Sequence, residues 1–172
     1  MSRASDSTVL VTGFEPFGRW RVNSSAEGVA ALARLRPGVS TACLPVDHDA
    51  AAARLSALVR ARKPKRLLLT GLAPGACLRL ERVGRPGPLA PALGGVRRAR
   101  WPLAAARAAL VAQGFPVRLS GDAGRYVCDT TLWHALGLPV RQVVFLHVPP
   151  PGPTWPATRL ARAMAAVLDA SA

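Results

Sequence analysis

Short β-rich runs alternate with longer Ala- and Leu-rich segments along the chain. Thr8 to Val11 is an apolar run ending in Thr12-Gly13, which predicts a first strand feeding the loop from Gly13 to Gly18. That loop is turn-rich yet carries Phe14 and Phe17. Ser24-Ser-Ala-Glu27 has the form of a capping box and predicts a helix to about Leu35, stopped by Pro37-Gly38. Ser40 to Leu44 reads as a second strand. Asp47 is placed to cap a helix that runs through Leu55 and Leu58 to about Arg62, ahead of Pro64.

Arg66 to Thr70 reads as a buried strand with an exit loop over Gly71 to Gly75, and Leu78 to Val83 as a further short strand. Gly84 to Arg100 is rich in Gly, Pro and Arg and has no period, which predicts an exposed loop. A helix is expected over Leu103 to Gln113, a strand over Val117 to Ser120, and a short helix from near Cys128 to Gly137. Val143 to Val148 reads as a buried strand. Ala157 to about Ala170 reads as an amphipathic helix with Leu160, Met164, Val167 and Leu168 on one face. Strands alternating with helices imply a layered α/β fold with a largely parallel sheet.

The chain has 172 residues, which suits one compact domain over 1–172 with a core that needs neither disulfide nor metal. Half the residues are hydrophobic and 19% are charged, as in globular chains. Three cysteines, Cys43, Cys77 and Cys128, and a polar N-terminus without an apolar leader core favour reduced thiols and a cytoplasmic location. No apolar run reaches the ~18 residues of a membrane span. The net charge of +14 raises the question of nucleic acid. The arginines are scattered, however, and the clusters at 60–66 and 97–100 lack interleaved aromatics beyond Trp101. A solvated basic surface is the better reading, with a basic nucleic-acid-binding α/β protein as its rival.

In an open α/β sheet, reactive groups sit past the carboxyl ends of the strands. Four segments have that address: Gly13 to Gly18, Gly71 to Glu81, Gly121 to Cys128, and His147 with the prolines after it. Cys128 falls where a loop opens a helix, and free N–H groups there favour a thiolate and suit an oxyanion. Cys43, in a strand, and Cys77, in a loop, do not open a helix and read as small packing residues. His147 is the best base by elimination. His48 sits between two aspartates, and His134 lies one and a half turns beyond Cys128. Glu81 can accept from the second imidazole nitrogen and fix its tautomer. Position alone does not separate it from Glu15 or Asp129, nor from a charge paired with Arg79 or Arg82. No C-x-x-C pair, H-E-x-x-H or Walker loop is present, so metal and nucleotide chemistry lack support.

Val9 to Gly18 followed by Val22 to Glu27 resembles the N-terminal signature of pyroglutamyl peptidase I. Leu44-Pro-Val46, Gly71 to Gly75 and Leu80 to Val83 are similar to that family's second-strand exit and central motif. Ser120 through Gly124 to Asp129 and Phe145 to Pro149 are similar to its nucleophile and histidine motifs. The resemblance implies a three-layer α/β/α sandwich around a twisted, largely parallel mixed sheet. It places Glu81, Cys128 and His147 at the triad and Phe14, Phe17, Tyr126 and Val127 around the pyroglutamyl ring. It implies removal of N-terminal pyroglutamate from peptides, no cofactor, and assembly into dimers or tetramers.

The chain departs from the family pattern at Leu72 and Pro74, and by Asp129 after the nucleophile. An Asn expected after the Glu-Arg-Val motif is missing. The segments from Glu81 to Cys128 and from Cys128 to His147 are short, which implies a more open substrate site. A relative that binds pyroglutamyl-like N-termini with weak turnover is the alternative.

Overall fold

The computed structural model describes residues 8–87 and 94–171. In chain order the elements are β1 (Val9–Phe14), α1 (Ser24–Leu35), β2 (Ser40–Leu44), α2 (His48–Arg62), β3 (Arg66–Leu72), β4 (Leu78–Glu81), β5 (Val83–Gly84), β6 (Arg97–Arg98), α3 (Leu103–Ala112), β7 (Val117–Ser120), α4 (Val127–Ala135), β8 (Gln142–Val148) and α5 (Ala157–Asp169). The main sheet has the order β2-β1-β3-β8-β4-β7, and β5 pairs with β6 apart from it. Every pairing in the main sheet is parallel except β4 with β8. The sheet is therefore mixed and largely parallel, as expected.

The strands are apolar on both faces because helices cover both. Val9, Val11, Leu68, Val144 and Leu146 point to one core, shared with Leu32 of α1, Leu110 of α3 and Leu160, Met164 and Val167 of α5. Leu10, Leu67, Leu69, Val143 and Phe145 alternate with them and point to the other, with Leu55 and Val59 of α2 and Leu132 of α4. This is the three-layer α/β/α arrangement. The period of two puts His147 on the same face as Val143 and Phe145, which is the α2/α4 side.

The helix starts show how local sequence sets the frame. Asp47 caps α2 as anticipated, its carboxylate accepting from the Ala50 N–H at 2.8 Å. The expected capping box at Ser24 is corrected. Asn23 is the cap of α1, with Oδ1 accepting from the Ser25 N–H at 3.0 Å. Both serines are thereby freed for longer-range bonds. β1 runs on to Phe14, two residues into the anticipated loop, because Gly13 lets the strand lie against the start of α1. A Cβ at Gly13 would stand 2.9 Å from the Ala26 nitrogen.

The run from Leu78 to Val83 is split between β4 and β5. The anticipated exposed loop from Gly84 to Arg100 is also partly corrected, although 88–93 lie outside the described residues. β6 pairs with β5, and Arg100 bridges Val143 through two backbone hydrogen bonds. Two arginines hold this segment to the end of α4. Arg97 stacks its guanidinium 3.6 Å from the Trp133 ring centroid and donates to the Trp133 carbonyl at 2.8 Å. Arg100 donates to the carbonyls of Leu136 and Val140 at 2.7 and 2.8 Å. Carbonyls at a helix end lack intrahelical partners, and arginine satisfies them.

Candidate active site

Glu81 ends β4 and His147 lies near the end of β8, its antiparallel neighbour. Glu81 is 0% exposed and His147 3% exposed. The His147 Nδ1–H donates to Glu81 Oε1 at 2.8 Å. This bond leaves Nε2 as the nitrogen able to take a proton. Burial holds the His147 imidazole below its ordinary pKa, and the Glu81 hydrogen bond and charge oppose that shift. The alternative partners for the imidazole fall away. Asp129 accepts from the Arg85 N–H at 2.9 Å, and Glu15 lies in the exposed loop after β1.

Cys128 is the second residue of α4. No side chain caps this helix, so its first N–H groups are left without a side-chain acceptor. The thiol packs on β3 at Gly71, where a Cβ would come within 2.9 Å of Sγ. Gly71 is the register partner of His147. The thiol, held by α4 over β3, and the imidazole on the adjacent strand β8 therefore meet on one face, in one cavity, although no hydrogen bond joins them. The helix start does not make the resting thiol acidic as the sequence suggested. Burial, then the Glu81 charge, push Cys128 up to about 12, against the opposing pull of its own backbone N–H and of Arg79. Asp129 contributes the smallest of these influences, because its carboxylate turns to Arg85.

The cavity holds about 490 Å³, within the range of small-molecule sites. Phe14, Phe17, Tyr126 and Val127 all line it, beside Cys128 and His147. Phe14 and Val127 are buried, whereas Tyr126 is 78% exposed at the rim. Trp20, Val46, Leu72 and Pro74 extend the apolar wall, and Arg79 supplies its cation. A second cavity of about 490 Å³ lies beside α2, lined by Ser56, Arg60, Lys63 and Leu138. Ser56 Oγ there bonds His134 Nε2 at 2.8 Å. Among the described residues no carboxylate is hydrogen-bonded to His134.

Sequence reasoning missed the residues that hold the walls together. Ser25 Oγ accepts from the Phe14 N–H at 3.0 Å and donates to Asn23 Oδ1 at 2.8 Å. Asn23 Nδ2 donates to the Glu15 carbonyl, and Ser24 Oγ to the Pro149 carbonyl at 2.7 Å. These bonds tie the loop after β1 to the residues following His147. An Asn directly before an apparent capping box was the available signal.

A thiol at a helix start, an imidazole and a buried carboxylate on one face of an α/β/α sheet form the layout of a cysteine-type hydrolase. The chain is 34% identical to the pyrrolidone-carboxylate peptidase of Deinococcus radiodurans, with 95% of this chain and 93% of that protein covered. It is 28% identical to human pyroglutamyl-peptidase 1, covering 94% and 88%. The crystal structure of pyrrolidone carboxyl peptidase from Thermus thermophilus superposes with a TM-score of 0.83 at 33% identity, covering 94% of this chain and 98% of that one. No protein-family model matches the chain. The chain belongs to the pyrrolidone-carboxylate peptidase family, whose members are cysteine-type peptidases. Among the described residues no helix is long and apolar enough to cross a membrane, and no cluster of ligating side chains suits a metal ion.

Proposed function

We propose that this chain removes N-terminal pyroglutamate from peptides, with Cys128 as nucleophile, His147 as base and Glu81 as the group that orients the base. The observation that carries this reading is the 2.8 Å bond to a fully buried Glu81 from Nδ1 of His147, which lines the same cavity as Cys128.

The uncharged lactam ring fits the apolar wall of Phe14, Phe17, Tyr126 and Val127. Cys128 Sγ attacks the pyroglutamyl carbonyl carbon while its proton passes to His147 Nε2. Burial and the Glu81 charge raise the thiol pKa, which suits His147 acting as a general base as the attack begins. The carbonyl oxygen becomes an oxyanion, which the backbone N–H groups opening α4 are placed to receive. His147 then gives its proton to the leaving amine, and the C–N bond breaks. A water, deprotonated by His147, attacks the thioester, and pyroglutamate leaves as the thiol is restored. Glu81 stabilises the imidazolium in both halves without taking its proton. Every step uses side chains, backbone N–H groups and water.

The test is release of a fluorescent amine from a pyroglutamyl amide, beside the matching prolyl amide. Release from the first and not the second is expected, since proline lacks the lactam carbonyl and carries a charge. Equal release from both would contradict the assignment of the apolar wall, and release from neither would contradict the activity.

A further inference from the structure

Gly71 of β3, His147 of β8 and Arg79 of β4 lie on one rung of the sheet, since Gly71 pairs with His147 and His147 with Arg79. Directly paired residues share a face, so all three point to the cavity side. Reading across the sheet from β1 gives a fixed order. Phe14 comes first, then the Cys128 thiol resting on Gly71, then the imidazole, then Arg79. With strands roughly 4.8 Å apart, Arg79 starts about 10 Å from β3, the strand on which the thiol rests. That span is close to the length of three extended residues at most.

This order matches the order of a bound substrate, in which ring, reacting carbonyl and leaving residue follow one another. The ring side is apolar. The far side ends in an arginine whose side chain is 20% exposed. Its Nε faces Glu81 Oε1 at 3.6 Å, too long for a hydrogen bond. No hydrogen bond links its terminal nitrogens to any described residue. The open edge of the guanidinium is a planar fork that fits a carboxylate through two parallel bonds. The lactam is uncharged and its Phe14 wall lies at the β1 end of this order, so the charged partner of the guanidinium belongs to the leaving residue.

On the reading of the reaction given above, we infer that Arg79 is a specificity residue selecting leaving residues that carry a carboxylate, either the free α-carboxylate of a pyroglutamyl dipeptide or an acidic side chain. The measurement compares kcat/KM for pyroglutamyl-alanine, pyroglutamyl-alanine amide and pyroglutamyl-aspartic acid α-amide, which keeps its side-chain carboxylate, following the freed amine. The unmodified chain is expected to favour at least one carboxylate-bearing substrate over the amide by about tenfold or more, the size of a charge-assisted bidentate contact. The preferred one tells the α-carboxylate from the side chain. In Arg79→Gln that ratio falls to about one, whatever happens to the absolute rates. In Arg79→Lys, which keeps the charge and loses the fork, it falls part way. A ratio near one in the unmodified chain, or an unchanged ratio in Arg79→Gln, would overturn the inference while leaving the peptidase reading intact. Cleavage of none of the three would overturn both.

Discussion

The Cys128 sulfur rests on Gly71, so close that a single methyl group there would reach 2.9 Å from Sγ and 2.8 Å from the Phe145 ring. Both neighbours belong to the α2/α4 face and have little room to retreat. Gly71→Ala is therefore expected to overpack the site, costing about 1–3 kcal/mol of stability. Turnover is expected to fall about tenfold or more, because a nucleophile displaced by a fraction of an ångström misses its near-attack geometry. Thermal unfolding and kcat on a pyroglutamyl amide check the two parts separately.

The thiol pKa of about 12 sets how Cys128 reacts with simple alkylating agents. The thiolate is the reactive form, so iodoacetamide labelling is expected to climb with pH without a plateau between pH 6 and about 10. An acidic plateau near pH 7 would point to a preformed thiolate–imidazolium pair. The sign of the stability effect follows from the same shift. The folded value lies above the reference 9.0, so the contribution is present below pH 9 and is lost as pH rises towards 12. Cys128→Ala is expected to flatten this alkaline loss.

Acid acts through His147 in the opposite sense. Its folded pKa lies below the reference 6.5, so the unfolded chain takes up the proton first. Stability is expected to fall as pH drops through 6.5 and below, and denaturant midpoints for the unmodified chain and His147→Gln test this. Glu81→Gln keeps the shape of the buried partner but loses its charge. A 10²–10⁴-fold loss of kcat is expected from a mis-set tautomer and an unsupported imidazolium.

The arginine clasp on α4 is a stability device. Arg100→Met removes two hydrogen bonds from a guanidinium to the carbonyls of Leu136 and Val140. A loss of about 2 kcal/mol is expected, or a Tm lower by roughly 5 °C in a domain of this size. The catalytic rate constant on a pyroglutamyl amide gives the parallel readout of how far the helix start shifts when its other end loosens.

Local rules made much of this chain legible. The spacing of Asp47, Leu55 and Pro64 located α2, and strands alternating with helices announced a layered α/β fold, which the family resemblance sharpened to three layers. The loop-to-helix address made Cys128 a candidate and elimination offered His147, whereas only the family resemblance singled out Glu81. What stayed hidden depended on register. Arg79 and Glu81 are two apart on a strand and so share a face, yet only the pairing of β4 with β8 puts them against His147. The arginines at 97 and 100 looked like surface charge because their partners are main-chain carbonyls more than thirty residues away. The acidity of the thiol was misjudged for a related reason. Helix-start N–H groups are visible in sequence, whereas the burial and nearby Glu81 charge that outweigh them are not.

The central claim is that Cys128 carries the chemistry. Hydrolysis of a fluorogenic pyroglutamyl amide by the unmodified chain and by Cys128→Ser, at equal concentrations of folded protein, tests it most directly. Release by the unmodified chain and a loss on the order of 10³-fold or more in the serine variant is the expected result. Release by Cys128→Ser within tenfold of the unmodified chain would contradict it.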